Sequence, residues 1–138
     1  MTQSPRKMNP LNLGLRAVLE ISALMAIGLW AWGRGSWVSA LVTILALSMV
    51  WGIFNVKGDP SRSGNAPVPV SGLFRLMLEL AIFATAFFCL GIMGYVGLSR
   101  QFGLLLILHY LVSWRRVLWL LNRRGRHDPE ADNGRGEL

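Results

Sequence analysis

Residues 36–56 and 80–99 carry no charged side chain, and as a helix each run is long enough to cross the ~30 Å hydrocarbon core of a bilayer. In hydrocarbon a backbone must satisfy its own N–H and C=O groups, which leaves the α-helix as the fold for runs of this kind. A chain of 138 residues is one domain by size, too small to hide two such runs and the apolar stretches beside them. Only 15% of the residues are charged, against about a quarter in an ordinary soluble domain. The expectation is an all-α integral membrane protein, a four-helix transmembrane bundle.

The single membrane domain is expected over residues 9–122, with spans at about 11–32, 37–55, 72–95 and 101–121. Asn9 suits an N-cap, and Pro10 fits the first helical position, where its missing N–H is harmless. "GRGS" around Arg34 makes a turn, Ser36 and Ser71 cap the second and third spans, and "KGDPSRSGNAPVPVSG" is a loop over 56–71. A short turn through Ser99 and Arg100 leads to the fourth span. Residues 1–8 form a short tail, and 123–138 a disordered basic and acidic one. At the end of the fourth span Arg115 and Arg116 leave two readings open. They snorkel to the headgroups while "VLWLLN" lies along the interface, or the helix continues and one arginine faces protein.

The net charge of +7 does not point to nucleic acid, because the positive residues flank the apolar runs. Arg6 and Lys7, Lys57 and Arg62, and Arg123, Arg124 and Arg126 fall on alternate connections, while the others hold Arg34 and Arg100 alone. Both termini and the long loop are therefore expected on the cytoplasmic side. Trp30, Trp32 and Trp37 would mark the outer boundary, and Trp51, Trp114 and Trp119 the inner one. A cleaved signal peptide fits poorly, since Arg16 and Glu20 interrupt the apolar run and no A-x-A site follows Trp30. Cys89 is the only cysteine, so one chain builds no disulfide, and it reads as a buried inert thiol.

"PLNLGLRAVLE" and "PVSGLFRLMLE" share proline, arginine and glutamate at the same spacing, at the heads of spans one and three. This matches duplication of a two-helix hairpin about an axis along the membrane normal. In each stretch Arg and Glu, four apart, share one helix face. Glu20 lies ~13 Å beyond Leu11 and Glu79 ~12 Å beyond Ser71, in the inner half of the bilayer. A lone charge there costs ~2.5–3.5 kcal/mol even on lenient scales, so each carboxylate needs a partner, and the arginine one turn earlier can supply it.

His109, Ser113 and Arg116 share a face of span four, as do Ser48, Gly52 and Asn55 on span two. The expected polar cluster is Arg16, Glu20, Arg75, Glu79 and His109. Two roles are open to it: a structural lock worth ~0.6–2 kcal/mol per interhelical bond, or a proton- or solute-handling site. In the loop, Asp59 and Arg62 can pair with each other or with arginines at the helix ends. A metal site would need more His or Cys than this chain has. No Ser–His–Asp arrangement, phosphate loop or H-E-x-x-H motif occurs, so neither enzymatic chemistry nor a cofactor is expected.

"NPLNLGLRAVLE", "WGIF", "GDPSRSGNAPVPV" and "LFRLMLEL" together resemble the YrdB-like family of small bacterial four-span membrane proteins, a family of unknown function, over about residues 8–121. The resemblance implies a bacterial plasma membrane and a four-helix bundle, and brings no catalytic residues. Small multidrug exporters also have four short spans and a glutamate in the first. The strong charge bias, second glutamate and proline-rich loop depart from that pattern. The expected function is a non-enzymatic membrane scaffold or partner-binding module, in contact with the lipid bilayer and with a second copy or another membrane protein. The alternative is a small-solute or proton-coupled transporter using Glu20 and Glu79, assisted by His109. A minor third reading has Arg123, Arg124 and Arg126 binding anionic headgroups.

Overall fold

The computed structural model describes residues 9–59 and 66–122. The expectations for Arg62, for both tails and for Arg123, Arg124 and Arg126 lie outside the described residues. The chain is all-α, with helices α1 (Pro10–Arg34), α2 (Trp37–Ile53), α3 (Gly72–Ile92), α4 (Val96–Val112) and α5 (Trp114–Asn122). α1 and α3 are long and apolar enough to cross a membrane, and α4 with α5 qualifies if the bent pair is one span. α2, with 17 residues, is a shorter apolar helix.

The helix starts follow local chemistry. Asn9 caps α1 by accepting from the Leu11 N–H at 3.1 Å, with Pro10 at the first helical position. Ser71 caps α3 by accepting from the Phe74 N–H at 3.2 Å. Ser36 opens α2, and its N–H donates to Ser39 Oγ at 3.0 Å. α3 ends in a Schellman motif. The Tyr95 N–H reaches Leu90 O at 2.9 Å and the Gly94 N–H reaches Gly91 O at 3.0 Å, which needs the positive φ of 87° that Gly94 adopts. The turn therefore falls at residues 93–95, and Ser99 and Arg100 lie inside α4. The Ser99 hydroxyl donates to Phe87 O at 3.0 Å, tying the start of α4 to α3.

α1 packs chiefly on α2 and α3, and α3 on α4 and α5. The stripe Leu19, Ala23, Ala26 of α1 meets Ile82, Phe83, Ala86 of α3, where small alanines let the helices approach closely. Phe83 sits edge-on to both Trp51 and Phe102, with centroids 5.5 and 6.1 Å away, joining α2, α3 and α4. Cys89 is buried in this core. The outer faces differ sharply: Leu41, Val42, Leu45 and Met49 of α2 and Leu104, Ile107, Leu108 and Leu111 of α4 are all exposed.

The segment after α2 is not wholly irregular. Strand β1 (Phe54–Asn55) pairs in parallel with β2 (Val68–Pro69), closing the loop at its base. Gly58, at φ 75°, turns the chain so that the Asp59 N–H reaches Val56 O at 3.2 Å. At the other end of the chain, α5 bends 66° away from α4. Ser113 forms the joint: its carbonyl accepts from the Arg116 and Val117 N–H groups and so starts α5.

Candidate functional site

Local folding brings polar side chains from five elements to one end of the bundle. On α1, Asn12, Arg16 and Glu20 stand at successive four-residue steps, one face of a helix. α3 contributes Arg75 and Glu79, α4 His109, the α4–α5 joint Ser113, α5 Arg116, and the turn before β2 Asp59.

Glu79 is the hub. Its Oε1 accepts from Arg16 Nη2 at 2.6 Å and its Oε2 from Arg116 Nη1 at 3.1 Å, with the residue only 1% exposed. Arg16 also donates through Nε to Glu20 Oε1 at 2.7 Å, within its own helix. Arg116 grips Asp59 with both ends of its fork, Nε to Oδ1 at 3.0 Å and Nη2 to Oδ2 at 2.7 Å. Bidentate guanidinium–carboxylate pairing of this kind is the strong, directional form of an ion pair. Among the described residues the cluster thus sets Arg16, Arg75 and Arg116 against Glu20, Glu79 and Asp59, largely shielded from solvent.

Arg75 has a different task. Its Nη1 donates to the carbonyls of Trp51 at 3.0 Å and Phe54 at 2.7 Å, and its guanidinium lies over the Trp51 ring at 5.2 Å. The last turn of α2 holds no basic residue of its own, so a cation from α3 meets the carbonyls that the helix end leaves open. The two repeated stretches are therefore used unequally. In the first the arginine pairs with its own glutamate. In the second Arg75 secures α2, while Glu79 is held by arginines from α1 and α5.

A neutral chain adjoins the ionic one. Asn12 Nδ2 donates to Ser113 Oγ at 2.7 Å, and its Oδ1 lies 3.0 Å from His109 Nδ1. A carbonyl oxygen only accepts, so Nδ1 carries the proton in this arrangement. His109 is buried beside Tyr110 and serves as a hydrogen-bonded joint between α1 and α4. Among the described residues no group of three or more His, Cys, Asp or Glu side chains is placed to hold a metal ion.

The structure brings together Arg16, Glu20, Glu79 and His109 with Asp59, and puts Arg75 one turn before Glu79. It divides the two readings of the last span. The helix turns aside at Ser113, before both arginines and not after them, and Arg115 is exposed. Arg116, however, faces protein, because its partners Asp59 and Glu79 lie inward. On α2, Ser48 and Gly52 are exposed; Asn55 falls in β1, off that helix, and is buried, its Nδ2 donating to Gly52 O at 2.7 Å. Asn12 escaped the sequence reading, although it stands one turn before Arg16 on the same face.

Fold and site together define a class of small all-α chain whose helices are tied at one end by a buried ionic cluster. The chain belongs to the family DUF2568, described as a protein of unknown function, which matches residues 14–107. It is similar to the uncharacterized protein YrdB of Bacillus subtilis (strain 168), 44% identical over 121 residues, which cover 85% of this chain and 98% of that protein. No solved structure matches. The family match takes in Arg16, Glu20, Asp59, Arg75 and Glu79, and ends before His109 and Arg116.

Proposed function

We propose that this chain is a multi-pass protein of the bacterial plasma membrane, with four crossings and both termini cytoplasmic, that acts as a non-enzymatic scaffold or partner-binding module. The observation that carries the reading is the state of Glu79. Both of its oxygens are engaged by arginines from two other helices, and it is almost fully buried. A carboxylate that carries protons or ions must exchange partners with water. One clamped between two guanidiniums works as a structural tie.

The membrane placement draws on the exposed apolar faces of α2 and α4, larger than a soluble monomer ordinarily leaves uncovered. α2 has 17 residues and spans ~26 Å, at the short end of what crosses a bilayer. Trp37 at its start is exposed and suits an interface, whereas Trp51 near its end is buried against Phe83 and does not serve as a lipid-facing anchor.

The test is Glu79→Gln in the full chain. Breaking one side of a buried ion pair costs about 3–5 kcal/mol, so thermal unfolding in detergent should fall sharply. In the same experiment, vesicles containing the parent protein should show no pH-dependent proton flux. A stable Glu79→Gln variant together with proton flux that the substitution abolishes would replace the scaffold by the transporter.

A further inference from the structure

A groove of about 560 Å³ runs along the outside of the bundle where α3, α4 and α5 meet. Its walls include Leu80 of α3, Leu106, Tyr110 and Leu111 of α4, and Trp114 and Leu118 of α5. We propose that this groove holds one acyl chain of an anionic glycerophospholipid of the cytoplasmic leaflet, with the headgroup at Arg115. The proposal rests on the membrane placement argued above and goes beyond it, since ordinary lipid contact needs neither a groove nor a preference for charge.

Two features select this occupant. First, the groove exists because α5 turns 66° away from α4, so the wall of α3 and α4 meets a floor from α5. A chain lying along α4 would end on α5, at the depth where an inner-leaflet headgroup begins. Second, the floor is amphipathic in the required sense. Trp114, Leu118 and Leu121 form an exposed apolar stripe at helical spacing, while Arg116 and Leu120 point into the protein. Arg115 is exposed beside that stripe, where it can meet a phosphate. Tyr110 contributes its ring to the wall, while its hydroxyl is buried in the protein and out of reach of the groove.

Native mass spectrometry of the full chain, purified gently and incubated with equal phosphatidylglycerol and phosphatidylethanolamine, tests this. The parent should keep one phosphatidylglycerol per chain in preference to phosphatidylethanolamine. Arg115→Gln should abolish the preference, and Leu80→Trp, which fills the groove, should reduce retention at least about 10-fold. Leu41→Trp on the exposed face of α2 serves as control and should retain lipid like the parent, with unchanged thermal unfolding for all three variants. Equal retention of both lipids, or retention untouched by Leu80→Trp, overturns the lipid site while leaving the membrane placement standing. Dimers that Leu80→Trp dissociates overturn it in favour of a second copy in the groove. Recovery of the parent in the carbonate-soluble fraction of cells overturns the membrane placement and the site together.

Discussion

Arg116 joins a loop to the bundle, and its geometry says how much depends on it. Its fork holds both oxygens of Asp59 while Nη1 holds Glu79. Arg116→Gln leaves two buried carboxylates with one cation fewer between them, at a cost of about 3–5 kcal/mol. Arg116→Lys should not restore this, because an ammonium cannot reproduce the planar bidentate contact. Adding Asp59→Asn to Arg116→Gln removes one charge of each sign from the cluster. The double variant should therefore be more stable than the sum of the single losses, by about 0.5–3 kcal/mol in a double-mutant cycle read by chemical unfolding in detergent. Strict additivity would mean that the pair is not coupled. Helical spacing made the 109, 113, 116 face legible in the sequence, and the four-residue step made Arg16–Glu20 legible. For Asp59 the sequence left a choice between Arg62 and the arginines at the helix ends; which arginine it meets, 57 positions away, depends on a turn whose direction Gly58 sets. Asn12 was missed for a simpler reason: an uncharged residue in the first turn of a helix reads as part of its cap.

At the scale of elements, α5 is the piece whose position depends most on close fit. Gly72, in the first turn of α3, faces the backbone of α5 so closely that a Cβ placed there runs into the carbonyl group of Leu120. The clash is with backbone, which cannot rotate aside. Gly72→Ala should push α5 off the end of α3 and break the Arg116 contacts with it. The expected readout is a gain of amide hydrogen exchange confined to residues 114–122, with α1 and the body of α3 unchanged. Gly14 gives the opposite prediction. It lies inside α1 with nothing within 4 Å of an added Cβ, so Gly14→Ala should raise stability by about 0.5–1 kcal/mol through helix propensity alone. The starts of α1, α2 and α3 were legible because Asn, Ser and Pro act on their own few neighbours. The start of α4 was not. Polar Ser99 and Arg100 suggested a turn, but the turn is made by Gly94, whose conformational freedom decides where α3 stops. At the bend the Ser113 hydroxyl accepts from Asn12 of another helix, and no local pattern encodes that contact.

For the whole molecule, the ionic cluster fixes which connections share an end. Asn12 near the start of α1, Asp59 in the loop and Arg116 in α5 all meet there. The turns at Gly35 and Gly94 therefore lie at the opposite end, one helix length away. Lys57 and Arg115 are exposed at the first end, Arg34 and Arg100 at the second. Charge at the second end is thus confined to single arginines, of which Arg34 is partly absorbed by the Trp30 ring at 5.0 Å. In the proposed orientation, which follows the positive-inside bias, the clustered end faces the cytoplasm. Cys89 is the only cysteine and is buried, so Cys89→Ser gives a background in which single cysteines report topology. Gly33→Cys and Arg100→Cys should react with a membrane-impermeant maleimide in intact cells. Lys57→Cys and Asn122→Cys should react only after lysis. Each pair probes a separate crossing: Gly33 against Lys57 reports on α2, and Arg100 against Asn122 on α4 with its bent continuation. Equal labelling of Arg100→Cys and Asn122→Cys before lysis would make α4–α5 a re-entrant or surface-lying pair, and four crossings would fall to three. Labelling of Lys57→Cys and Asn122→Cys, but not of Gly33→Cys or Arg100→Cys, in intact cells would invert the chain, and with it the leaflet from which the groove beside Arg115 draws its lipid.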